Sequence, residues 1–242
     1  MIINYIQTAL RNIFRSKFFS FINVVGLSVG MAASVVILFF VTFENSYDKF
    51  HPDAVNIYRV ELDTYRDASL ESKSALTPPA VAISLVNNFP AVEDVARIAS
   101  NPGKALVTLD QNTIKEPRAY IADSSIFHVM GFEFIKGNSD NLFTGPHDLV
   151  ISETLAEKLL GKDWKTTALD ETIDIQSDGI TGVFRLKGIF RNFPENSHIN
   201  PQLIVPRSLL SDLVGEQAGD ESWTFNFFYS YIKVKPATDL LS

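Results

Sequence analysis

No charged residue occurs from Phe18 to Phe43, an apolar run of 26 residues. As a helix rising about 1.5 Å per residue, this run is roughly 39 Å long. A bilayer core is roughly 30 Å thick and needs about 20 apolar residues to cross it. The pattern predicts a transmembrane helix over 18–43. A cleaved signal peptide is the rival reading, with Ala32-Ala33-Ser34 as its cleavage site. Val35 to Phe43 carries the apolar run beyond that point and favours an uncleaved helix. Gly26, Gly30, Ala32, Ala33 and Ser34 either admit other membrane helices closely or mark ordinary membrane-helix composition. Before the span, Ile2, Ile3, Ile6, Leu10, Ile13 and Phe14 recur at helical spacing, with Asn4, Gln7, Arg11, Asn12 and Arg15 mostly opposite. This predicts an amphipathic helix over 1–17 lying on a membrane surface.

After Phe43 the pattern shortens. Glu44 to Asp53 is polar and reads as a stalk, placed at 44–55. Asn56 to Leu62 alternates apolar and polar residues and predicts a strand. Pro78-Pro79 opens a periodic stretch, Val81 to Phe89, closed by Pro90, which predicts a short helix. Val92 to Ala99 predicts a second strand, so these three form a β-α-β unit; a parallel pairing of its strands requires a right-handed crossover. Lys104 to Leu109 and Arg118 to Ile121 are weaker strand signals, and Ser124 to Met130 suggests a helical turn. Leu149-Val150-Ile151 predicts a buried strand. Ser152 then caps a helix over Glu153–Leu160, with Gly161 past its end and Lys158 suited to its last turn. Asp178-Gly179 joins two β-prone stretches in a hairpin signal. Pro194 to Pro201 reads as a loop, Ile204-Val205 as a short apolar strand, and Trp223 to Val234 as β-prone. Thr238 could cap a helix, but the sequence given ends four residues later, as if within a structural unit.

The charge distribution follows the same division. Residues 1–43 hold Arg11, Arg15 and Lys17 and no acid, whereas the remainder holds all 28 acidic residues and a net charge of −10. The positive-inside rule then places the N-terminus in the cytoplasm and residues 44–242 outside, with Arg11, Arg15 and Lys17 as topology determinants. With 242 residues, 46% of them hydrophobic, the chain can build a real core and is neither disordered nor fibrous. Its acidic balance excludes an ordinary nucleic-acid binder. The lack of cysteine excludes thiol catalysis, thiolate metal sites and disulfides.

No catalytic constellation stands out. His51, His128, His147 and His198 form no i+3 or i+4 pair of metal ligands. Asp48, His51 and Asp53 are metal-ligand types at the stalk, and the plain alternative is a solvated juxtamembrane segment. Phosphate-loop and nucleophile-turn patterns are missing. Asn196-Ser197-His198 sets nucleophile and base types side by side, where neighbours in sequence rarely face each other.

Several stretches, in order, resemble one family. Ala9-Leu10-Arg11-Asn12, Phe18-Phe19-Ser20-Phe21-Ile22-Asn23 and Gly26-Leu27-Ser28-Val29-Gly30 resemble the surface helix and first span of MacB/FtsX-like ABC transporter permeases, particularly the Bacteroidetes-type forms. Ser46-Tyr47-Asp48-Lys49-Phe50-His51-Pro52 and Ile57-Tyr58-Arg59-Val60 resemble its stalk and first outer strand. Val150-Ile151-Ser152-Glu153 through Ala156-Glu157-Lys158-Leu159-Leu160-Gly161 is similar to its central strand and helix. Lys187-Gly188-Ile189-Phe190 with Phe193-Pro194-Glu195-Asn196-Ser197-His198-Ile199 resembles a further characteristic stretch.

The resemblance implies an α+β fold: an N-terminal transmembrane helix followed by a MacB-like periplasmic core domain. It implies a porter-like subdomain begun at 56–123, an inserted mixed sabre-like subdomain at 124–225, and a porter-like return half starting at 226–242. It also implies a non-enzymatic permease subunit in a bacterial inner membrane, with no cofactor. A separate cytoplasmic ABC ATPase would drive it, and the stalk residues Glu44, Ser46, Tyr47, Asp48, Phe50, His51 and Pro52 would carry motion outward. Further implied partners are a second permease half or copy, a periplasmic adaptor and the lipid bilayer. A single-helix-anchored extracytoplasmic sensor is the alternative, and an anchored hydrolase a third class. The segments that follow would separate these: three more spans for a permease, a cytoplasmic signalling domain for a sensor.

Overall fold

The computed structural model describes residues 4–5, 11, 15–99, 103–166, 169–177, 179–236 and 238. The chain divides between Tyr47 and Asp48 into two compact units, 1–47 and 48–242.

The first unit is a 28-residue helix, α1 (Lys17–Glu44), one residue longer at each end than the charge-free run. None of its residues is buried, and Phe18, Leu38 and Phe39 are among many apolar side chains left exposed. Such a surface is costly in water and suits lipid. Two of its hydroxyls bond back within the helix: Ser34 Oγ donates to the Gly30 carbonyl at 2.9 Å and Thr42 Oγ1 to Leu38 at 2.7 Å. By length and composition α1 can cross a membrane. Of the surface helix expected over 1–17, Asn4, Tyr5, Arg11 and Arg15 are helical, and most of the rest lies outside the described residues.

The second unit is mixed α and β. Its strands are β1 (Ile57–Arg59), β2 (Leu62–Arg66), β3 (Ser69–Ser74), β4 (Leu76–Thr77), β5 (Val92–Ala99), β6 (Gly103–Leu109), β7 (Asn112–Ala122), β8 (Phe134–Lys136), β9 (Asp148–Ser152), β10 (Thr172–Gln176), β11 (Thr181–Phe190), β12 (Leu203–Pro206) and β13 (Phe228–Val234). Its helices are α2 (Pro79–Asn88), α3 (Ile126–Val129), α4 (Glu153–Leu160) and α5 (Leu209–Val214). Proline at the first turn of α2 costs no hydrogen bond, which fixes where that helix begins. In α4, Ser152 Oγ accepts from the Leu155 amide at 3.3 Å, and Gly161 ends the helix at φ +75°.

The strands fall into two parts. Strands β7, β12, β9, β11, β10 and β6 pair in that order, and β6 pairs back to β7, so the six close into a ring. Inward-facing Val107, Ile121, Ile151, Ile173, Ile175, Phe184 and Val205 fill the main core with Leu155 and Leu159 of α4. Outside the ring, β13 lies between β1 and β5 and is antiparallel to both. The expected β-α-β unit therefore exists without the direct pairing of its two strands: β1 and β5 flank β13. Helix α2 covers this part through Ala82, Val86, Val92, Val95 and Ile232. A second core, with Ala96, Ile98, Phe127, Met130, Phe132, Val150, Phe190 and Ile204, holds the two parts together on the other side.

Asp178 of the Asp178-Gly179 signal lies outside the described residues; Gln176 pairs with Thr181, so the connection covers four positions where two were expected. Ser177 Oγ holds it by accepting from the Ile180 amide at 2.8 Å. Trp223 to Phe227 stays outside the sheet, and only Phe228–Val234 is strand. The helix suggested after Thr238 lies outside the described residues.

Candidate functional site

The stalk is split between the units. Glu44 is the last residue of α1, and Ser46 continues that turn, its amide and hydroxyl both donating to the Phe43 carbonyl at 3.0 and 2.6 Å. Tyr47 packs edge-on against Phe43 with ring centres 5.4 Å apart. Arg11, Arg15 and Lys17 are exposed, the last as the first residue of α1.

Asp48 opens the second unit at φ +55°, a left-handed conformation that aspartate tolerates better than most residues. It is tied to one loop by four hydrogen bonds. Its amide donates to the Asn196 carbonyl at 3.1 Å. Its Oδ1 accepts from Ser197 Oγ at 3.0 Å and the His198 amide at 3.1 Å. Its Oδ2 accepts from His198 Nδ1 at 2.7 Å. The Ser197 hydroxyl also lies 2.8 Å from the Ile199 carbonyl, so its one proton is committed to these acceptors and not to the His198 ring. This arrangement holds a loop in place and does not activate a nucleophile.

The next residues enter an aromatic socket. His51 is buried, and its Nδ1 lies 2.7 Å from the Met130 carbonyl. A carbonyl only accepts, so Nδ1 carries the proton. The Phe50 ring lies 4.1 Å from His51 and 5.2 Å from Phe193. Phe193 in turn meets Phe132 at 4.5 Å, and Phe132 meets Phe127 and Phe190 at 5.3 and 5.1 Å, inside the second core. Pro52 packs on Gly131, whose φ of +64° closes α3, with the Phe132 amide donating to the Phe127 carbonyl at 2.9 Å. A Cβ on Gly131 would lie 2.8 Å from Pro52 Cδ. Asp53 then pairs with Lys233 of β13 at 2.6 Å, and this bond raises the Lys233 ammonium above its usual range.

Tyr231, also on β13, lies at the margin of the socket. Burial pushes its phenol up to about 12; Arg59 opposes the shift and Asp48 adds to it. The three metal-ligand types of the stalk have different main partners: Asp48 the 196–198 loop, His51 the Met130 carbonyl, with its Nε2 4.0 Å from Asp48 Oδ1, and Asp53 Lys233. Among the described residues, no group of three His, Asp or Glu is placed to hold a metal.

Sequence reading found the stalk and the 193–199 stretch separately but not that one receives the other. They stand some 150 positions apart (|i−j| = 149 and 150 for the Asp48 bonds), and no local pattern reports that pairing. Gly131, Phe132 and Lys233 were missed; a glycine just past a predicted helical turn was the available signal for the first.

Comparison with known proteins places this geometry. The family model of the MacB-like periplasmic core domain matches residues 20–241. The search of curated proteins gives no match. Among solved structures, a domain assigned to a permease protein from Porphyromonas gingivalis superposes with a TM-score of 0.62 at 20% identity, covering 78% of this chain and 76% of that one. The extracellular domain of the noncanonic ABC-type transporter YknZ from Gram-positive bacteria gives 0.50 at 16% identity, covering 75% and 85%. These likenesses show a shared fold, and the apolar helix with such a domain behind it fits a membrane-anchored protein. The chain belongs to the family of MacB-like periplasmic core domains.

Proposed function

We propose that this family member is the permease subunit of an ABC transporter, one that carries the work of a separate cytoplasmic ATPase to a domain outside the inner membrane. Arg11, Arg15 and Lys17 keep the N-terminus in the cytoplasm, α1 spans, and residues 44–242 are periplasmic. The stalk residues Glu44, Ser46, Tyr47, Asp48, Phe50, His51 and Pro52 pass movement outward, in export or efflux by mechanotransmission. A second permease half or copy and a periplasmic adaptor complete the assembly. We place the porter-like and sabre-like subdomains at 56–123, 124–225 and 226–242; the narrow junction between β5 and β7 supports a two-part body, with β6 and β7 on the ring side of it.

The observation that carries this reading is the anchoring of the segment that begins at Asp48. Four hydrogen bonds, a buried histidine and an aromatic contact seat it on the body, where a mere tether would be solvated. A seated segment transmits force, and a solvated one swivels. The test is a flexible Gly-Ser insertion after Ser46 in the assembled transporter. Transport should be abolished while the complex still assembles. Normal transport in that variant would show that the segment is only a tether.

A further inference from the structure

The two parts of the second unit meet along a narrow seam. The described residues of β5 and β7 pair at one position, Ile98 with Ala122. Immediately beside that pair, four charged side chains from four places in the chain converge. Arg97 of β5 is 3% exposed. Its Nε and NH2 donate to the two oxygens of Asp123 at 2.6 and 3.1 Å, and its amide donates to the same carboxylate at 3.0 Å. The Asp123 amide answers by donating to the Arg97 carbonyl at 3.0 Å. Arg207, just past β12, donates from Nε to Asp123 at 2.7 Å and from NH1 to the Ala218 carbonyl at 2.7 Å. Both arginines also reach one oxygen of Asp220, each at 2.7 Å. Arg97 NH1 further donates to Pro79 at the start of α2, at 3.0 Å.

The partition of these groups is telling. Arg97 and Pro79 belong to the part with β1, β5 and β13, and Asp220 lies on the link that runs from α5 to β13. Asp123 and Arg207 follow β7 and β12 of the ring. Two positive and two negative charges balance, so the group is neutral as a whole; Arg97 grips Asp123 with two parallel bonds, and Arg207 spreads its bonds over Asp123, Asp220 and the Ala218 carbonyl. Burial alone would disfavour the charge on Arg97, yet Asp123 and Asp220 outweigh it and hold the guanidinium above its ordinary range. Breaking one member would strand buried charge, so the arrangement resists partial opening.

We propose that this four-membered clasp locks the seam, so that the ring and the β1–β13–β5 part turn as one rigid lever. Asp123 is its centre and Asp220, half-exposed on the loop before β13, its outer limb. The proposal stands apart from the coupling reading, because its test needs no transport. It uses the full chain in detergent micelles. The absence of native cysteine allows a clean spin-label pair at Asn87→Cys, exposed on α2, and Lys162→Cys, exposed after α4. The parent should give a single narrow distance distribution by electron–electron resonance. Asp123→Asn, folded by circular dichroism, should at least double its width, and Asp220→Ala should widen it by about half. A folded Asp123→Asn variant with the parental width would overturn the clasp, as would a parent that is already broad. If Asp123→Asn does not fold, Asp220→Ala decides alone: widening supports the clasp, and an unchanged width means that packing of Ala96, Ile98, Ala122 and Phe127 suffices.

Discussion

Asp48–Pro52 and the β2–β3 hairpin lie within about fifteen positions of each other and are treated in opposite ways by the fold. The first is short and irregular, yet it is fixed by buried and paired contacts at nearly every residue. The second pairs as an antiparallel hairpin, with one register shift between Thr64 and Tyr65, and forms a sheet of its own, while its residues stay almost wholly exposed. It is held by internal means: Asp63 faces Lys73, with a 3.4 Å ion pair, Arg66 reaches Glu71 at 3.1 Å, and Tyr65 lies opposite Leu70. Regularity and anchoring are therefore independent. Secondary structure reports local backbone pairing, whereas the ability to carry load depends on side chains buried in a neighbour.

Three measurements can break or sharpen that contrast. Phe193→Ala removes the ring that joins Phe50 and His51 to the second core and should cost about 2–4 kcal/mol in urea unfolding of the full chain. A cost under about 1 kcal/mol would mean that the socket is only loosely packed. Tyr231→Phe addresses the same margin through pH. Its folded-state phenol pKa of about 12 exceeds the ordinary 10, so the fold favours the protonated form. Its contribution is intact below pH 10 and is lost as pH rises through 12, by about 2 kcal/mol. The Phe variant should lack that part of the alkaline loss, seen as a smaller fall in the urea midpoint between pH 9 and pH 12 than in the parent; equal falls would refute it. The smallest effect belongs to the hairpin. Replacing Tyr65 and Leu70 together by Ser should change the stability of the body by less than about 0.5 kcal/mol. A larger loss would show that the hairpin leans on something in the fold.

The same contrast explains what could be read from the sequence. Signals carried by neighbours in the chain were legible: β5 spans Val92–Ala99 as predicted, and α4 runs from its Ser152 cap to Gly161. The charge-free run gave α1 to within one residue at each end. The β2–β3 hairpin was not seen, because its turn at Asp67 and Ala68, with φ of +49° and +62°, lacks the glycine that usually marks such turns. Its strands also lack alternation, since neither face is buried. Ring closure, the insertion of β13 between β1 and β5, and the meeting of Asp48 with His198 are long-range choices set by packing, and no local window contains them. The stretch 44–55 stands out in the sequence by its polarity, but the loop that receives Asp48 is visible only in three dimensions.

Closing six strands into a ring also governs where unwanted fibril growth could begin. A ring offers no row of open backbone groups to a passing chain, so among the described strands that hazard falls chiefly to β1, β4, β8 and the β2–β3 hairpin. Strands β1, β4 and β8 have two or three residues each, and the hairpin carries Asp63, Arg66, Glu71 and Lys73. Strands so short or so charged are poor templates for another chain.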